Sequence, residues 1–203
     1  MQPREVRAEY DRDSITVYQA FSAAIAKPAL EHGRFVPPFS RTRMTWIKPS
    51  FLWLMARSGW ARKPGQETIL AVRITRQGWD EALSLAVPTD PDRRVYRSSD
   101  EWRAAFRQAQ VHVQWDPERS LRGEKLEPRA LQLGLSRHII DRYADDWTLS
   151  IEDRTPLVRK IHHHLQAGDL TRARLLLPKE RPYPLPSSTA HQLGATSEGS
   201  GKR

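Results

Sequence analysis

The chain has 203 residues, 38% of them hydrophobic, no cysteine and a formal net charge of +9. This length fits a single domain with a real core, and the lack of cysteine excludes disulfides, zinc–thiolate sites, iron–sulfur clusters and thiol nucleophiles. The excess of positive charge predicts an anionic partner, namely a nucleotide, a nucleic acid or another phosphate.

The first part of the chain alternates strand and helix patterns. Ser14–Phe21 is rich in β-branched and aromatic residues and predicts a strand. Ser22 then starts a helix that Gly33 ends, although Pro28 lies inside it. The prolines of residues 35–40 favour extended backbone, which leads into a loop or short strand at residues 41–48.

Three further elements follow at the centre of the chain. Pro49, as a first helical residue, and Gly59 frame a short helix that is apolar nearly all round, so we expect it to be buried. Thr68–Thr75 is the clearest strand pattern of the sequence. Gly78 opens a helix that runs to Leu85.

The second half begins with a capping box, in which Ser98 and Glu101 start a helix that ends near Gln108. A strand at residues 111–115 is expected to end at Asp116-Pro117. A short strand at 130–135, a helix begun by Ser136 and a last strand at 147–151 follow.

The sequence of the C-terminal part predicts two helices followed by a disordered tail. Thr155-Pro156 starts a helix that ends at Gly168, and Asp169 caps a second one, so the two form an αα-hairpin. Residues 187–203 are poor in apolar residues and are expected to be disordered, which leaves residues 1–186 as one domain. The fold class is therefore α+β, with about five strands in a mixed or antiparallel sheet and helices on it.

No stretch approaches the roughly 20 apolar residues that span a bilayer, and the N-terminus lacks a signal segment. We therefore predict a cytoplasmic protein that does not enter membranes. Signatures of dinucleotide folds and phosphate loops are absent from the sequence. His162, His163 and His164 do not form a metal site in this prediction, because consecutive helical residues point about 100° apart.

Several long strings resemble one known family. They are Arg4-Glu-Val-Arg-Ala-Glu-Tyr, Val17-Tyr-Gln-Ala, Gly33-Arg-Phe, Arg43-Met-Thr-Trp-Ile-Lys-Pro-Ser-Phe-Leu-Trp, Arg57-Ser-Gly-Trp, Val113-Gln-Trp-Asp-Pro-Glu-Arg, Leu133-Gly-Leu-Ser and Leu177-Pro-x-Glu-x-x-Tyr. On these the chain closely resembles the bacterial domain of unknown function 4291 family, over about residues 4–185. The resemblance implies no activity, because the family is uncharacterised.

The positive charge is concentrated in one acid-free segment between His32 and Gln66. Its basic residues are Arg34, Arg41, Arg43, Lys48, Arg57, Arg62 and Lys63. In the functional interpretation Trp46 stacks on a base or nicotinamide ring, while Arg43 and Lys48 bind phosphates. In the alternative, the tryptophans of the segment belong to the core and the charges form a solvated face.

Polar residues on strands supply the other candidates. Asp116 and Glu118, after Gln114, could act as general base or bind a ribose hydroxyl. The alternative is that Asp116-Pro117 starts a turn and that Glu118 pairs with Arg119.

Tyr18, Gln19 and Arg73 complete the set of candidate ligand-binding residues. Tyr18 and Gln19 are adjacent on the first strand, so they point to opposite faces and only one can enter a given cleft. Arg73 lies near the end of the clearest strand.

These features suggest three functions. The order of strands and helices along the chain is loosely similar to that of small ADP-ribosyltransferase-like folds, which bind NAD. In that hypothesis Tyr18 or Gln19 would lie near the nicotinamide ring of NAD, and Glu118 would lie at a ribose. The alternative is a non-catalytic RNA- or DNA-binding module that uses residues 34–63. A structural or protein-interaction role is the third.

Overall fold

Strands in small sheets, surrounded by helices, build the protein, and a computed structural model describes residues 4–196 of it. The strands in this range are β1 Arg7–Ala8, β2 Ser14–Phe21, β3 Thr45–Ile47, β4 Thr68–Thr75, β5 Ala86–Pro88, β6 Val111–Arg119, β7 Lys125–Leu135, β8 Thr148–Asp153 and β9 Arg181–Pro182. The helices are α1 Ala23–His32, α2 Phe51–Ser58, α3 Arg76–Ser84, α4 Ser99–Gln108, α5 Thr155–Gln166, α6 Leu170–Leu175 and α7 Ser187–Gln192, with a π-helical turn at Arg142–Trp147.

The described strands form three sheets. One has the order β2-β4-β8, the second β3-β7-β6-β5, and β1 pairs with β9. All pairings are antiparallel except that of β5 with β6. The α+β class with mixed or antiparallel strands is thus confirmed, although the strands are divided among three sheets instead of forming one sheet of about five.

The strand β4, at the centre of the sheet β2-β4-β8, is buried on both faces over most of its length, which explains its nearly continuous apolar sequence. Leu70, Val72 and Ile74 of β4 face a first core, which the other large sheet also lines. Ile69 and Ala71 face a second core beneath α2, α5 and α6. The two large sheets are joined where Tyr18 N donates to Lys48 O over 2.7 Å and Lys48 N donates to Tyr18 O over 3.3 Å.

Several strand bounds and helix caps predicted from the sequence are present in the structure. The strands β2 and β4 have the predicted bounds. Gly33 and Gly59 end α1 and α2 in the left-handed conformation. The Ser98 hydroxyl accepts a hydrogen bond from Glu101 N at 3.1 Å, and α5 and α6 form the predicted hairpin.

Several boundaries differ from the predictions. Asp116-Pro117 does not end β6, which continues to Arg119, because Pro117 pairs with Arg129 beside a register shift. Pro49 lies outside α2, whose cap is Ser50, and α3 begins at Arg76, before Gly78. The chain after Ser136 forms the π-helical turn in place of a regular helix.

The predicted disorder from residue 187 onward is wrong for its first part. Ser187–Gln192 is helical, and Leu193 is fully buried in the first core. Leu193 docks this segment, with Ala190 also buried and Ala195 packed against the same core, together with the hydrogen bond that Trp115 Nε1 donates to Leu193 O at 2.8 Å. Residues 197–203 lie outside the described range. Within residues 4–196, no helix combines the length and apolar character that crossing a membrane requires.

Candidate functional site

A cleft of about 490 Å³ lies between α2 and the end of β6. α2 contributes Trp53, Ala56 and Arg57, and β6 contributes Asp116, Pro117 and Arg119. Lys63, from the turn after α2, and Gly123, from the turn after β6, complete the lining. The volume is within the roughly 300 to 1,000 Å³ that small-molecule sites occupy.

A strained turn places Lys63 beside Arg57. Gly59, Trp60 and Ala61 all adopt left-handed backbone, with φ of 58°, 58° and 60°. Such a conformation costs about 1 to 2 kcal/mol for each residue other than glycine. Hydrogen bonds offset this cost, since Lys63 N donates to Ser58 O at 3.0 Å and Ala61 N to the Ser58 hydroxyl at 3.3 Å. Strain of this kind concentrates at functional sites, which supports a role for the cleft.

Asp116 is held rigidly at the cleft by two amides. Gln114 Nε2 donates to its Oδ1 at 2.9 Å, and Gln132 Nε2 donates to its Oδ2 at 2.7 Å. Gln114 and Asp116 share one face of β6 because side chains alternate along a strand, and Gln132 is the cross-strand partner of Gln114. The carboxylate therefore has a defined position from which to accept a ligand hydrogen bond.

Lys48 is a buried amine next to this carboxylate. Its side chain donates to Trp46 O at 3.4 Å, and Nζ is 5.3 Å from the centre of the Trp53 ring. Burial, followed by the positive charge of Arg57, lowers the pKa of Lys48 to about 7, while the negative charge of Asp116 opposes both effects. The amine is thus near its titration midpoint at neutral pH.

The cleft is electropositive. Arg57, Lys63 and Arg119 line it, against the single carboxylate of Asp116. Arg119 is positioned by the hydrogen bond that it donates to Gly123 O at 3.2 Å. Basic side chains around a concave wall with an indole beside them are suited to an anion that carries a flat ring.

A pair of carboxyl groups lies at the start of α2. Phe51 N donates to Glu180 Oε1 at 2.7 Å. Burial raises the pKa of Glu180 to about 8, and the neighbouring charge of Glu118 contributes to the increase. Burial also raises the pKa of Glu118, although Arg119 N donates to its Oε1 at 2.8 Å. Glu180 is consequently protonated in most molecules at neutral pH.

Three of the predicted site residues come together, namely Lys48, Gln114 and Asp116. Glu118 lies on the same strand but faces the start of α2, and it is outside the lining of the cleft. Its predicted role at a ribose therefore has no support from the geometry. Tyr18 is completely buried in the second core, where its hydroxyl donates to Glu9 Oε2 at 3.3 Å.

The other four predicted residues lie elsewhere. Arg73 is on the surface, where it pairs with Asp11 and donates to the Ser14 hydroxyl at 2.6 Å. Trp46 packs on its cross-strand partner Gly134, where a Cβ would approach the ring to 3.0 Å. Arg43 is exposed in the loop before β3.

Gln19 is a structural bridge, which excludes it from any open cleft. Its Nε2 donates to Thr45 Oγ1 at 2.8 Å and to Trp46 O at 3.2 Å, while its Oε1 accepts from the Tyr143 hydroxyl at 2.6 Å. Only 2% of Gln19 is exposed. These three hydrogen bonds use both donors of Nε2 and engage Oε1, and they tie β2 to β3 and to the π-helical turn.

Replacing Gln19 with leucine is expected to lower the free energy of unfolding by about 1 to 2 kcal/mol, because the buried Tyr143 hydroxyl loses its acceptor. Urea denaturation measures this change. The double variant Gln19→Leu, Tyr143→Phe should recover part of the loss, since it removes the orphaned hydroxyl as well. Equal stability of Gln19→Leu and the unmodified protein would contradict this assignment.

The acid-free basic segment does not form one continuous surface. Arg41 is held by Asp141 at 2.9 Å and Asp145 at 2.5 Å, and Lys48 is buried. Arg57 and Lys63 face the cleft. The nucleic-acid-binding hypothesis stays a prediction, which this distribution of charge does not favour.

Sequence reasoning missed Trp53, Gln132 and Glu180 as site residues. The sequence marks Trp53 by its spacing from Trp46 and Trp60 and as the last residue of the string that begins at Arg43, and it marks Glu180 only as part of the string Leu177-Pro-x-Glu-x-x-Tyr. Gln132 carries no signal in the sequence, because its partner Asp116 is reached only through the pairing of β6 with β7. Within residues 4–196, no three histidine or carboxylate side chains are grouped closely enough to hold a metal ion.

Comparison with models of known protein families gives a match over most of the chain. A family model described as a domain of unknown function, DUF4291, matches residues 5–183. The match covers α2, β6, Asp116, Lys48 and Glu180. No curated protein matches the chain.

Proposed function

Because the chain belongs to the DUF4291 family, a domain of unknown function, we propose its function from the geometry of its own residues: it binds a nucleotide or NAD-like phosphorylated ligand in the cleft between α2 and the end of β6. One observation carries the proposal. Arg57, Lys63 and Arg119, which come from three different segments, line the same cleft as the Trp53 indole and the fixed carboxylate of Asp116.

Each group has a role that fits this class of ligand. Arg57, Lys63 and Arg119 are suited to phosphate oxygens, since charge-assisted hydrogen bonds from basic side chains are strong in a concave site. Trp53, which lines the cleft, supplies an indole on which a base can stack. Asp116 has both oxygens fixed by amides and can accept a hydrogen bond from a ribose hydroxyl.

Lys48 couples the proposed site to pH. Its pKa of about 7 means that protonation adds a positive charge below the cleft as pH falls. Affinity for a phosphorylated ligand should therefore rise modestly from alkaline to slightly acidic pH, as long as the ligand keeps its charge.

Isothermal titration calorimetry with NAD, ADP-ribose and ATP tests the proposal. We expect the triple variant Arg57→Gln, Lys63→Gln, Arg119→Gln to bind at least about 30-fold more weakly than the unmodified protein, because it loses several charge-assisted hydrogen bonds. Replacement of Trp53 with leucine should weaken a nucleotide more than inorganic pyrophosphate, because only the nucleotide has a base to stack.

A matched triple variant, Arg107→Gln, Arg159→Gln, Lys160→Gln, removes the same charge from exposed positions outside the cleft. Equal losses in the two triple variants would mean that net charge governs binding and would overturn the proposal. Release of nicotinamide from NAD, followed by chromatography, would extend the proposal to an ADP-ribosyltransferase-like reaction. Binding of oligonucleotides alone, with a steep dependence on salt, would instead favour the nucleic-acid-binding alternative.

A further inference from the structure

A second cavity, of about 420 Å³, lies on the opposite face of the sheet β3-β7-β6-β5. Trp115 lines this cavity and Asp116 lines the cleft, and adjacent residues of a strand point to opposite faces. The charged residues around it are Arg4, Arg93, Arg94, Arg129, Asp90 and Asp92. Four arginines against two aspartates leave an excess of two positive charges.

Asp92 organises two of these arginines. Arg4 donates to its Oδ2 at 2.5 Å, and Arg94 donates to both of its oxygens, at 3.0 Å from Nε and 2.6 Å from the terminal nitrogen. The hydrogen bonds from the Arg94 side chain, from Arg94 N and from Arg4 hold the pKa of Asp92 well below its usual range. The carboxylate is saturated, and both guanidinium groups are fixed in direction beside the cavity.

The C-terminal segment completes this arrangement. Arg4 and Arg94 both donate to Gly194 O, at 3.3 Å and 3.2 Å, and Thr196 N donates to Arg4 O at 3.0 Å. Gly194 has a φ of +62°, and a Cβ there would lie 2.7 Å from Asp92 Oδ2 and 2.8 Å from an Arg4 nitrogen. Only glycine fits at this position. The backbone at Gly194 therefore packs directly against Arg4 and Arg94 at the side of the cavity.

The remaining two arginines have donors to spare. Arg129 donates one hydrogen bond, to Trp115 O at 3.1 Å, and Arg93 makes no hydrogen bond or ion pair to any residue between 4 and 196. Both line the cavity and are exposed. A guanidinium group presents five donors, so most of those of Arg93 and Arg129 remain for a ligand.

We propose that this arginine-lined cavity is a second anion site, which takes the dianionic phosphate of a small phosphomonoester. Arg93 and Arg129 bind the phosphate oxygens directly, while Arg4 and Arg94 supply fixed positive charge behind them. A dianion matches the excess of two positive charges, and the concave shape favours a small ligand over an extended chain. The inference does not rest on the function proposed for the cleft.

Calorimetric titration with phenyl phosphate and with inorganic phosphate tests this site, and benzenesulfonate serves as the monoanionic control. We expect phenyl phosphate to bind more tightly than benzenesulfonate. The double variant Arg93→Gln, Arg129→Gln should bind phenyl phosphate at least about tenfold more weakly, since two charge-assisted hydrogen bonds are lost. Its thermal stability should be preserved, because neither side chain is among those that hydrogen-bond to Asp92, which are Arg4 and Arg94.

Two control variants distinguish phosphate binding in this cavity from a general effect of charge and from binding in the cleft. The double variant Arg107→Gln, Arg159→Gln removes the same charge elsewhere and should keep the affinity. The triple variant of Arg57, Lys63 and Arg119 should also keep it, since those residues line the other face. Absence of phosphate binding by the unmodified protein, or equal affinity in the Arg93, Arg129 variant, would overturn the proposal and leave the arginines as a structural anchor for the C-terminal segment.

Discussion

Replacing Glu180 with glutamine should raise the free energy of unfolding above pH 8 by about 2 to 4 kcal/mol, and by much less at low pH. Burial raises the pKa of Glu180 from 4.5 to about 8. The native protein therefore holds this proton more tightly than the unfolded chain. The stability contributed by the protonated group is fully present below pH 4.5 and is lost as pH rises through 8.

Glutamine keeps the one contact that the carboxyl group makes with the helix. Its carbonyl oxygen can accept the hydrogen bond from Phe51 N, which Glu180 Oε1 accepts at 2.7 Å. The full shift in pKa corresponds to roughly 5 kcal/mol, and relaxation of side chains and water around the buried charge reduces this in practice.

Urea denaturation of the two proteins at about pH 4 and about pH 9 measures the effect. Replacement of the exposed Glu127 with glutamine removes the same charge from the surface and should change little at either pH. A Glu180→Gln protein that loses stability at the higher pH would contradict this expectation, because the ionised carboxylate would then be favourable at the start of α2.

Replacing Lys48 with methionine should have the opposite dependence on pH. Burial lowers the pKa of Lys48 from 10.5 to about 7. The unfolded chain therefore binds this proton more tightly than the native protein, so the stability contributed by the neutral amine is present above pH 10.5 and is lost as pH falls through 7. The methionine variant should be about 2 to 4 kcal/mol more stable than the unmodified protein near pH 6.

Methionine fits the position because it matches the length of the buried lysine stem. Trp46 O, which accepts from Lys48, keeps the hydrogen bond that Gln19 donates at 3.2 Å. Denaturation at about pH 6 and about pH 10 measures the difference, with the exposed Lys160→Met as control. A Lys48→Met protein that is less stable than the unmodified one near pH 6 would mean that the charged amine is favourably paired, most directly with Asp116.

Together these two groups make the pH dependence of the protein unusual. Ionisation of Glu180 lowers the free energy of unfolding as pH rises to 8, and protonation of Lys48 lowers it as pH falls to 7. Their combined contribution is lowest between about pH 7 and 8. Both lie beside α2, which forms one wall of the cleft. Buried ionisable groups that reduce stability at neutral pH are a frequent property of functional sites, and this agrees with the function proposed for the cleft.

Features that depend on neighbouring residues in the chain could be predicted without the structure. The bounds of β2 and β4 follow from runs of β-branched and apolar residues, and both strands form where predicted. Gly33 and Gly59 end helices because glycine adopts left-handed backbone at little cost. Family membership was likewise evident from contiguous strings and is confirmed by the match over residues 5–183.

Which polar side chains meet depends on tertiary packing. Asp116 belongs to the cleft because the pairing of β6 with β7 carries the strand past Pro117 and brings Gln132 to it. Gln19, polar and on a strand, has the sequence pattern of a ligand-binding residue, yet its partners include Thr45 and Tyr143, which use its donor and acceptor groups. Glu180 reaches the start of α2 from a position 129 residues away in the chain. Contacts of this kind depend on strand register and long-range packing, so no local pattern in the sequence predicts them. The altered pKa values depend on the removal of water from the buried groups, which the sequence does not show either.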